Sequence, residues 1–171
     1  MRTILLFLLT ALAALAESAA GVSWKAPAGW SAQAPRPMRA ATYQVPAAPG
    51  DPEAGECAVF YFGPGQGGGV EENIRRWAGQ FEDSAGRPRT EAERLSRQNI
   101  NGLPVHLVEV TGAYLAGGPM VQAKTKKPGF RLLGAIVEAP EGFVFIKLTG
   151  PAKTVAAAEA SFHGLLKSLR R

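Results

Sequence analysis

The sequence predicts an α+β domain in which an antiparallel β-sheet is packed by two main helices. Segments with the apolar content and turn boundaries of strands occur before and after a central segment of a different kind. This central segment, and another at the C-terminus, repeat their apolar residues with helical spacing. The order strands, helix, strands, helix is typical of this fold class.

Three strands are predicted before the first helix. β-Branched and aromatic residues bounded by Pro and Gly predict a short strand near residues 22–25 and a second strand near 38–45. Residues 46–55 are polar and form a predicted loop. The segment ECAVFYF at 56–62 is the first strongly apolar strand.

The central helix is predicted at about residues 69–82. Apolar residues recur there every three or four positions, as they do on one face of a helix, at Val70, Ile74, Trp77 and Phe81. Charged and polar residues occupy most of the remaining positions. One side of this helix is therefore expected to dock against the sheet.

The second half of the chain contains four predicted strands in two hairpins. An Asn-Gly pair at 101–102 separates the extended runs 90–100 and 103–115, and both residue types tolerate the positive φ of a tight hairpin turn. The runs 129–139 and 142–150 flank a Pro-Glu-Gly turn and are apolar on both faces. Strands with that pattern lie in the centre of a sheet that is covered on two sides.

The C-terminal helix is predicted to begin at Pro151, because proline suits the first turn of a helix. Its apolar face consists of Val155, Ala158, Phe162, Leu165, Leu166 and Leu169. Basic residues at its end complement the negative end of the helix dipole. This helix is therefore the second one expected to pack on the sheet.

The N-terminus predicts a signal peptide within residues 1–20 and a single α+β domain over 21–171. One cation, Arg2, precedes an uncharged apolar run of about 13 residues, which is long enough for a signal-peptide core and too short to span a bilayer. Small residues allow cleavage after Ala16 or after Ala20. The protein is therefore expected to be exported to the periplasm or outside the cell, with no transmembrane segment in the mature chain.

The charge and the cysteine content restrict the function classes. The formal net charge is +5 and falls to +4 when Arg2 is removed with the leader. This moderate excess favours an anionic partner but is too small to indicate nucleic-acid binding. The single cysteine, Cys57, excludes an intramolecular disulfide, and its apolar strand pattern predicts a buried thiol rather than a nucleophile.

A glycine-rich loop before the central helix satisfies the spacing G-x-G-x-x-G at Gly63, Gly65 and Gly68. A dinucleotide site with that spacing also needs a parallel βαβ unit that ends in an acidic residue. Moreover, Glu71 and Glu72 occupy the first helical turn, where they would repel a phosphate. The loop is therefore interpreted as a strand-to-helix turn with several positive φ angles, and no cofactor is expected.

The pattern Trp24, Pro27, Trp30 is followed by strands, a helix containing Asn73 and Trp77, antiparallel strands and a C-terminal helix. This order resembles the PsbP-like superfamily, which includes small bacterial envelope proteins grouped with DcrB. The resemblance covers most of the mature chain and implies an antiparallel sheet packed between helices. It also implies a non-enzymatic accessory or binding role outside the cytoplasm, without assigning a functional residue.

A carboxylate-dependent hydrolase of the cell envelope is the alternative function. Glu56, Glu109 and Glu138 lie in or beside predicted strands and could meet on one sheet, as the paired acids of a glycosidase do. His106 and His163 lack metal-ligand spacing and are interpreted as structural residues. No serine has the G-x-S-x-G context of a hydrolase nucleophile.

Basic residues on the central helix and on a loop at about 117–129 are the candidate contacts for a partner. They are Arg75, Arg76, Lys124, Lys126 and Lys127. The expected partner is an anionic envelope component or a protein. Nucleic acid is not expected, because no aromatic residues interleave with these cations along the sequence. The sequence therefore predicts a non-enzymatic accessory or binding module without catalytic, cofactor or metal residues, and it leaves the oligomeric state open.

Overall fold

The strand patterns of the sequence combine into one large sheet. The computed structural model describes residues 17–117 and 125–171. The strands are β1 (Glu17–Ala19), β2 (Val22–Trp24), β3 (Ser31–Ala32), β4 (Arg39–Val45), β5 (Gly55–Phe60), β6 (Phe81–Glu82), β7 (Arg94–Ile100), β8 (Leu103–Ala116), β9 (Thr125–Ala139) and β10 (Gly142–Pro151), and the helices are α1 (Val70–Ala78) and α2 (Ala152–Lys167). The predicted α+β class with two main helices is confirmed.

Strands β3 to β10 form an eight-stranded antiparallel sheet, and β1 and β2 form a separate hairpin. The strand order is β3-β4-β5-β10-β9-β8, and at the far edge β6 and β7 each pair with a different part of β8. The turn between β7 and β8 has φ angles of 53° at Asn101 and 82° at Gly102. These values match the tight hairpin that the Asn-Gly pair predicts.

The two faces of the sheet are covered by different helices, because side chains alternate between the faces of a strand. Strand β10 directs Ile146 and Leu148 into the core beneath α2, and Phe145 into a second core beneath α1. We call these the α2 face and the α1 face. The predicted buried thiol of Cys57 lies in the core of the α2 face, fully buried.

Helix α1 packs through its apolar stripe, with Trp77 lying directly on Gly134 of β9. A Cβ atom at position 134 would overlap the Trp77 ring, so the close approach of helix and strand requires glycine there. The helix ends at Ala78, not at residue 82 as its stripe predicts. Phe81 lies in β6 opposite Tyr114, because the backbone after Gly79 bonds to β8 instead of continuing the helix.

The N-terminal hairpin includes residues that the predicted leader would remove. β1 pairs with β2 through a turn in which Ala20 and Gly21 have φ angles of 53° and 75°. Ala20 is buried, and the Glu17 carboxylate accepts a hydrogen bond from the Tyr43 hydroxyl. The folded domain therefore includes residues 17–20, while residues 1–16 lie outside the described part of the chain.

The short α1 covers only part of its face. A helix of nine residues is about 14 Å long, whereas the strands beneath it include β9 with 15 residues. The part of the sheet beyond the end of α1 therefore stays open, and a concave site forms there. Neither α1 nor α2 is long and apolar enough to cross a membrane.

Candidate functional site

The candidate site is a cavity on the α1 face, beyond the C-terminal end of the helix. Its volume is about 180 Å³, smaller than the ~300–1,000 Å³ of sites for drug-sized ligands. Strands β4, β5, β8, β9 and β10 provide its walls, together with the loop before β5. We call it the Lys147 cavity and define it by Arg39, Glu53, Glu56, Phe60, Tyr114, Lys127, Phe130, Lys147 and Thr149.

Lys147 lies on β10, between the buried Ile146 and Leu148, which face the opposite core. Its part-buried ammonium donates a hydrogen bond to the side-chain carbonyl of Gln80, just beyond α1. The same group lies 5.4 Å from the centre of the Tyr114 ring. Among the residues that the structure describes, no carboxylate lies within ion-pair distance of it.

Burial lowers the pKa of Lys147 to about 8, because the charged form loses hydration. The Glu56 carboxylate opposes this change, and the Arg39 guanidinium adds to it. Burial also raises the pKa of Tyr114. Lys147 is therefore still mostly protonated at neutral pH, although its surroundings destabilise the charge.

The other two cations of the Lys147 cavity are paired with carboxylates. Arg39 Nη1 lies 2.8 Å from Glu56 Oε1, and Lys127 Nζ lies 2.5 Å from Glu53 Oε2. Arg36, outside the cavity, contacts the second oxygen of Glu56 at 3.3 Å. Three cations thus face two carboxylates, which leaves the cavity with one positive charge in excess when Lys147 is protonated.

Each cation of the Lys147 cavity lies over an aromatic ring. The charged group of Arg39 is 5.2 Å from the centre of the Phe60 ring, and that of Lys127 is 5.5 Å from the centre of the Phe130 ring. With Lys147 over Tyr114, these are all the cation–π pairs in the described parts of the chain. Their clustering in one concavity gives the site alternating charged and aromatic walls.

Thr149 lies two residues beyond Lys147 on β10 and lines the same cavity. Its hydroxyl oxygen is buried and has no hydrogen-bond partner within the described segments. An unsatisfied buried hydroxyl costs ~1–3 kcal/mol, which is unusual in a native structure. The floor of the cavity therefore contains two polar groups that the protein itself satisfies poorly.

The structure separates the basic residues chosen from the sequence. Arg75 and Arg76 are exposed on α1, and Arg76 is 2.5 Å from Glu72. Lys126 bonds to Glu82 at 2.6 Å and Lys127 to Glu53 at 2.5 Å, so three of these charges are neutralised by neighbouring acids. Lys127 lines the Lys147 cavity. Lys124 lies outside the described residues.

The three carboxylates of the hydrolase hypothesis do not meet. Glu109 lies on the α2 face, bonded to Arg131 at 2.8 Å. Glu56 is paired in register with Thr149, and Glu138 with Phe143, six positions away along β10. At about 3.4 Å per residue, that register places them about 20 Å apart along the sheet.

The histidines lie in two separate places. His106 Nε2 is 2.7 Å from Glu138 Oε1, and this hydrogen bond is the main cause of the lowered pKa of Glu138. His163 lies on α2, 4.0 Å from Glu159. Within residues 17–117 and 125–171, no three His, Cys, Asp or Glu side chains converge as the ligands of a metal ion would.

The glycine-rich loop has the conformation expected of a turn. Gly63, Gly65 and Gly68 have φ angles of 103°, 69° and 80°. The Asn73 amide closes the loop onto α1 by donating to the carbonyl oxygens of Gly67 at 2.8 Å and Gly69 at 2.9 Å. The strand after α1 is β6, which pairs antiparallel with β8, so no parallel βαβ unit follows the loop.

Sequence reasoning missed Lys147, although a signal for it existed. Lys147 is the one charged residue in the mainly apolar segment GFVFIKLTG, and lysine is rarely buried unless it is paired. Lys127 was among the predicted partner contacts, whereas Arg39 and Phe60 gave no signal of their own, because they approach Lys147 only when β4, β5 and β10 join the sheet. The aromatic residues that interleave with cations here are distant along the chain.

The fold and the site together define an α+β domain with a small cationic cavity on one face of an antiparallel sheet. No family model matches the chain, and no curated protein matches it. Among solved structures, the chain is similar to the crystal structure of the protein of unknown function PA94 from Pseudomonas aeruginosa. The TM-score is 0.50 at 13% sequence identity, over 87% of this chain and 90% of that chain. At this sequence identity, the similarity indicates a shared fold and nothing about function.

Proposed function

We propose that the protein is an exported, non-enzymatic binding module and that the Lys147 cavity is its ligand site. The observation that carries the proposal is the Lys147 ammonium, which is part-buried in a concavity and bonded to the neutral Gln80 side chain. A titratable group with a perturbed pKa in a cavity is a candidate functional group. The excess positive charge favours an anionic ligand.

Export is proposed from the leader pattern within residues 1–20, and the PsbP-like assignment from the tryptophan pattern and the element order. Both proposals rest on the sequence. They agree with the anionic envelope component or protein partner that the charge of the chain favours. The Lys147 cavity is the proposed place where an acidic group of such a partner binds. Three strands bring cations together there, namely Arg39, Lys127 and Lys147.

The hydrolase alternative lacks the arrangement on which it depended. Its three carboxylates lie on two faces of the sheet and at separate positions along it. Each of them is bonded to arginine or histidine side chains. Binding is therefore the function that the geometry supports best.

A spectroscopic titration tests the proposed binding site. Amide ¹⁵N–¹H spectra of the exported protein are recorded with a panel of small anionic, cationic and neutral compounds. Anionic compounds are expected to shift the amides of β5 and β10 around the Lys147 cavity and to lose this effect in Lys147→Met. Lys25→Met is the matched control, because Lys25 is exposed and lies outside the cavity. A panel without any Lys147-dependent shift would contradict the proposal.

A further inference from the structure

The Lys147 cavity also indicates which class of anion it takes, an inference that rests on the proposed function. We propose that its ligand is a monocarboxylate with a small apolar body, held by a hydrogen-bonded ion pair between its carboxylate and the Lys147 ammonium. The arguments come from the charge balance, the free hydrogen-bond donors and the walls of the cavity.

The charge balance fits a ligand with a single negative charge. Among the residues that line the cavity, Arg39 and Lys127 are paired with Glu56 and Glu53 at 2.8 and 2.5 Å, so the positive charge of Lys147 alone has no carboxylate partner. A monoanion would neutralise that charge. A dianion such as phosphate would leave an unpaired negative charge beside the Glu53 and Glu56 carboxylates, which is unfavourable in a site with restricted access to water.

The donor geometry leaves room for one carboxylate at Lys147. A lysine ammonium has three N–H donors, and one of them is used by the Gln80 carbonyl. The two remaining donors have no acceptor among the described residues. An ionised carboxylate accepts charge-assisted hydrogen bonds, which are stronger than neutral ones, so it would satisfy the ammonium better than water or an amide does.

Aromatic rings form part of the walls beside this charge. Phe60, Tyr114 and Phe130 line the site together with the small side chain of Ala58. A ligand of small size is required, because the cavity volume of about 180 Å³ lies below the ~300–1,000 Å³ of sites for drug-sized ligands. A short apolar body attached to one carboxylate matches these walls.

The experiment is a titration with three small probes that differ in charge. Benzoate carries one carboxylate on an apolar ring, and benzamide has the same shape without the charge. Inorganic phosphate, a mixture of monoanion and dianion at neutral pH, is anionic without the apolar body. Affinities are measured by calorimetry and by the amide shifts of β5 and β10. The proteins are wild type, Lys147→Met and Lys25→Met.

The expected result is that benzoate binds at least about tenfold more tightly than either benzamide or phosphate. Lys147→Met should lose at least about tenfold in benzoate affinity, whereas Lys25→Met should match wild type. Thermal melting confirms that each variant is folded. Equal binding of benzamide, or benzoate binding that survives Lys147→Met, would overturn the proposal.

The pH dependence gives a second and independent readout. Benzoate should bind the protonated ammonium, so its affinity should fall by up to about tenfold per pH unit above pH 8 in wild type. The charges that act on Lys147 in this range are those of Glu56 and Arg39. Affinity that stays constant between pH 7 and pH 10 would contradict an ion pair at Lys147.

The outcomes separate the ligand class from the proposed function. If benzoate does not bind but a compound of another class shifts the cavity amides in a Lys147-dependent way, the class is wrong and the binding site stands. If no compound of the wider panel produces such shifts, both proposals are wrong. If phosphate binds more tightly than benzoate, the site is a general anion site without selection for an apolar body.

Discussion

Lys147 lies among Gln80, Tyr114 and the strands of the sheet, where water reaches its ammonium only in part. Removing a charge from water costs free energy unless a countercharge replaces the lost hydration. Arg39 and Lys127 have such countercharges, and Lys147 bonds to a neutral amide. Natural proteins keep such unfavourable residues mainly where function uses them, which supports the assignment of Lys147 to the ligand site.

Replacing Lys147 by Met should stabilise the protein at neutral pH. The pKa of Lys147 is lowered to about 8 by burial, so the folded state binds the proton more weakly than the unfolded state does. The free energy of unfolding of wild type should therefore rise between about pH 8 and pH 10.5, where the unfolded state binds more protons than the folded state does. We expect Lys147→Met to be about 1–2 kcal/mol more stable than wild type at pH 7, a difference that shrinks by pH 10.

Urea unfolding of both proteins at pH 7 and pH 10 measures this difference. The comparison of variant with wild type removes the contribution of other groups that titrate at high pH, since both proteins contain them. Lys25→Met serves as the control and should show little difference at either pH, because Lys25 is exposed. A stability difference for Lys147→Met that is the same at both pH values would show that the lysine charge is not the cause.

Gly134 should tolerate no side chain. A methyl group there would overlap the ring of Trp77, which is buried and has little room to move. We expect Gly134→Ala to lower the free energy of unfolding by about 1–3 kcal/mol, as overpacked core substitutions do.

Gly164→Ala is the matched control for this substitution. Gly164 lies inside α2, is exposed, and has no atom within 4 Å of an added Cβ. The free energy of unfolding of Gly164→Ala should exceed that of wild type by up to about 1 kcal/mol, because alanine favours helices more than glycine does. Chemical denaturation checks both values, and a neutral Gly134→Ala would show that α1 can shift away from β9.

At the scale of the elements, β1 limits where the proposed leader can end without loss of folded structure. Its residues pair with β2, and the Glu17 carboxylate accepts a hydrogen bond from Tyr43, whose ring is buried. The backbone carbonyl of Ala20 also accepts a hydrogen bond from Glu141 at 3.2 Å. Cleavage after Ala20 would remove these contacts, whereas cleavage after Ala16 would keep them.

Under the proposed export, we therefore expect the mature protein to begin at Glu17. Intact mass measurement of the protein purified after export distinguishes this N-terminus from one at Gly21. As a stability check, a variant that starts at Gly21 should unfold at a lower temperature than one that starts at Glu17, because it lacks β1 and leaves the Tyr43 hydroxyl without its acceptor. An exported protein that begins at Gly21 would contradict the prediction.

For the whole molecule, the central strands join the two cores. Strands β9 and β10 bury side chains on both faces, with Val137 and Ile146 beneath α2 and Ile136 and Phe145 beneath α1. Both cores depend on β9 and β10, so unfolding of these strands would disrupt the two cores together. The domain should therefore unfold in one cooperative step, as single domains of this size usually do.

Tryptophan fluorescence can report on each core separately. Trp24 lies in the core of the α2 face, and Trp77 lies in the core of the α1 face. In variants that keep only one of these two tryptophans, with Trp30 replaced in both, fluorescence and circular dichroism should give the same midpoint within each variant. Two separate transitions would show that the α1 side opens independently of the rest of the sheet.

Local patterns in the sequence predicted most of the elements and the fold class. Helical stripes, two-sided apolar strands and an Asn-Gly turn act over a few neighbouring residues, so they can be read directly from the sequence. The end of α1 was predicted too late, because Phe81 continues the helical stripe yet pairs with Tyr114 of β8 in the folded sheet. In such places, pairing with a strand that is distant along the chain overrides the helix that the local apolar spacing predicts.

The sequence by itself determined an α+β domain with two amphipathic helices, a buried Cys57 and a glycine-rich turn before α1. The tertiary structure alone decided the Lys147 cavity, because its cations at positions 39, 127 and 147 come from β4, β9 and β10. It also separated the carboxylates that the sequence left free to converge. Strand register separates the carboxylates, and register together with the short length of α1 forms the cavity. No local pattern in the sequence encodes the pairing of distant strands or the part of a sheet that stays uncovered.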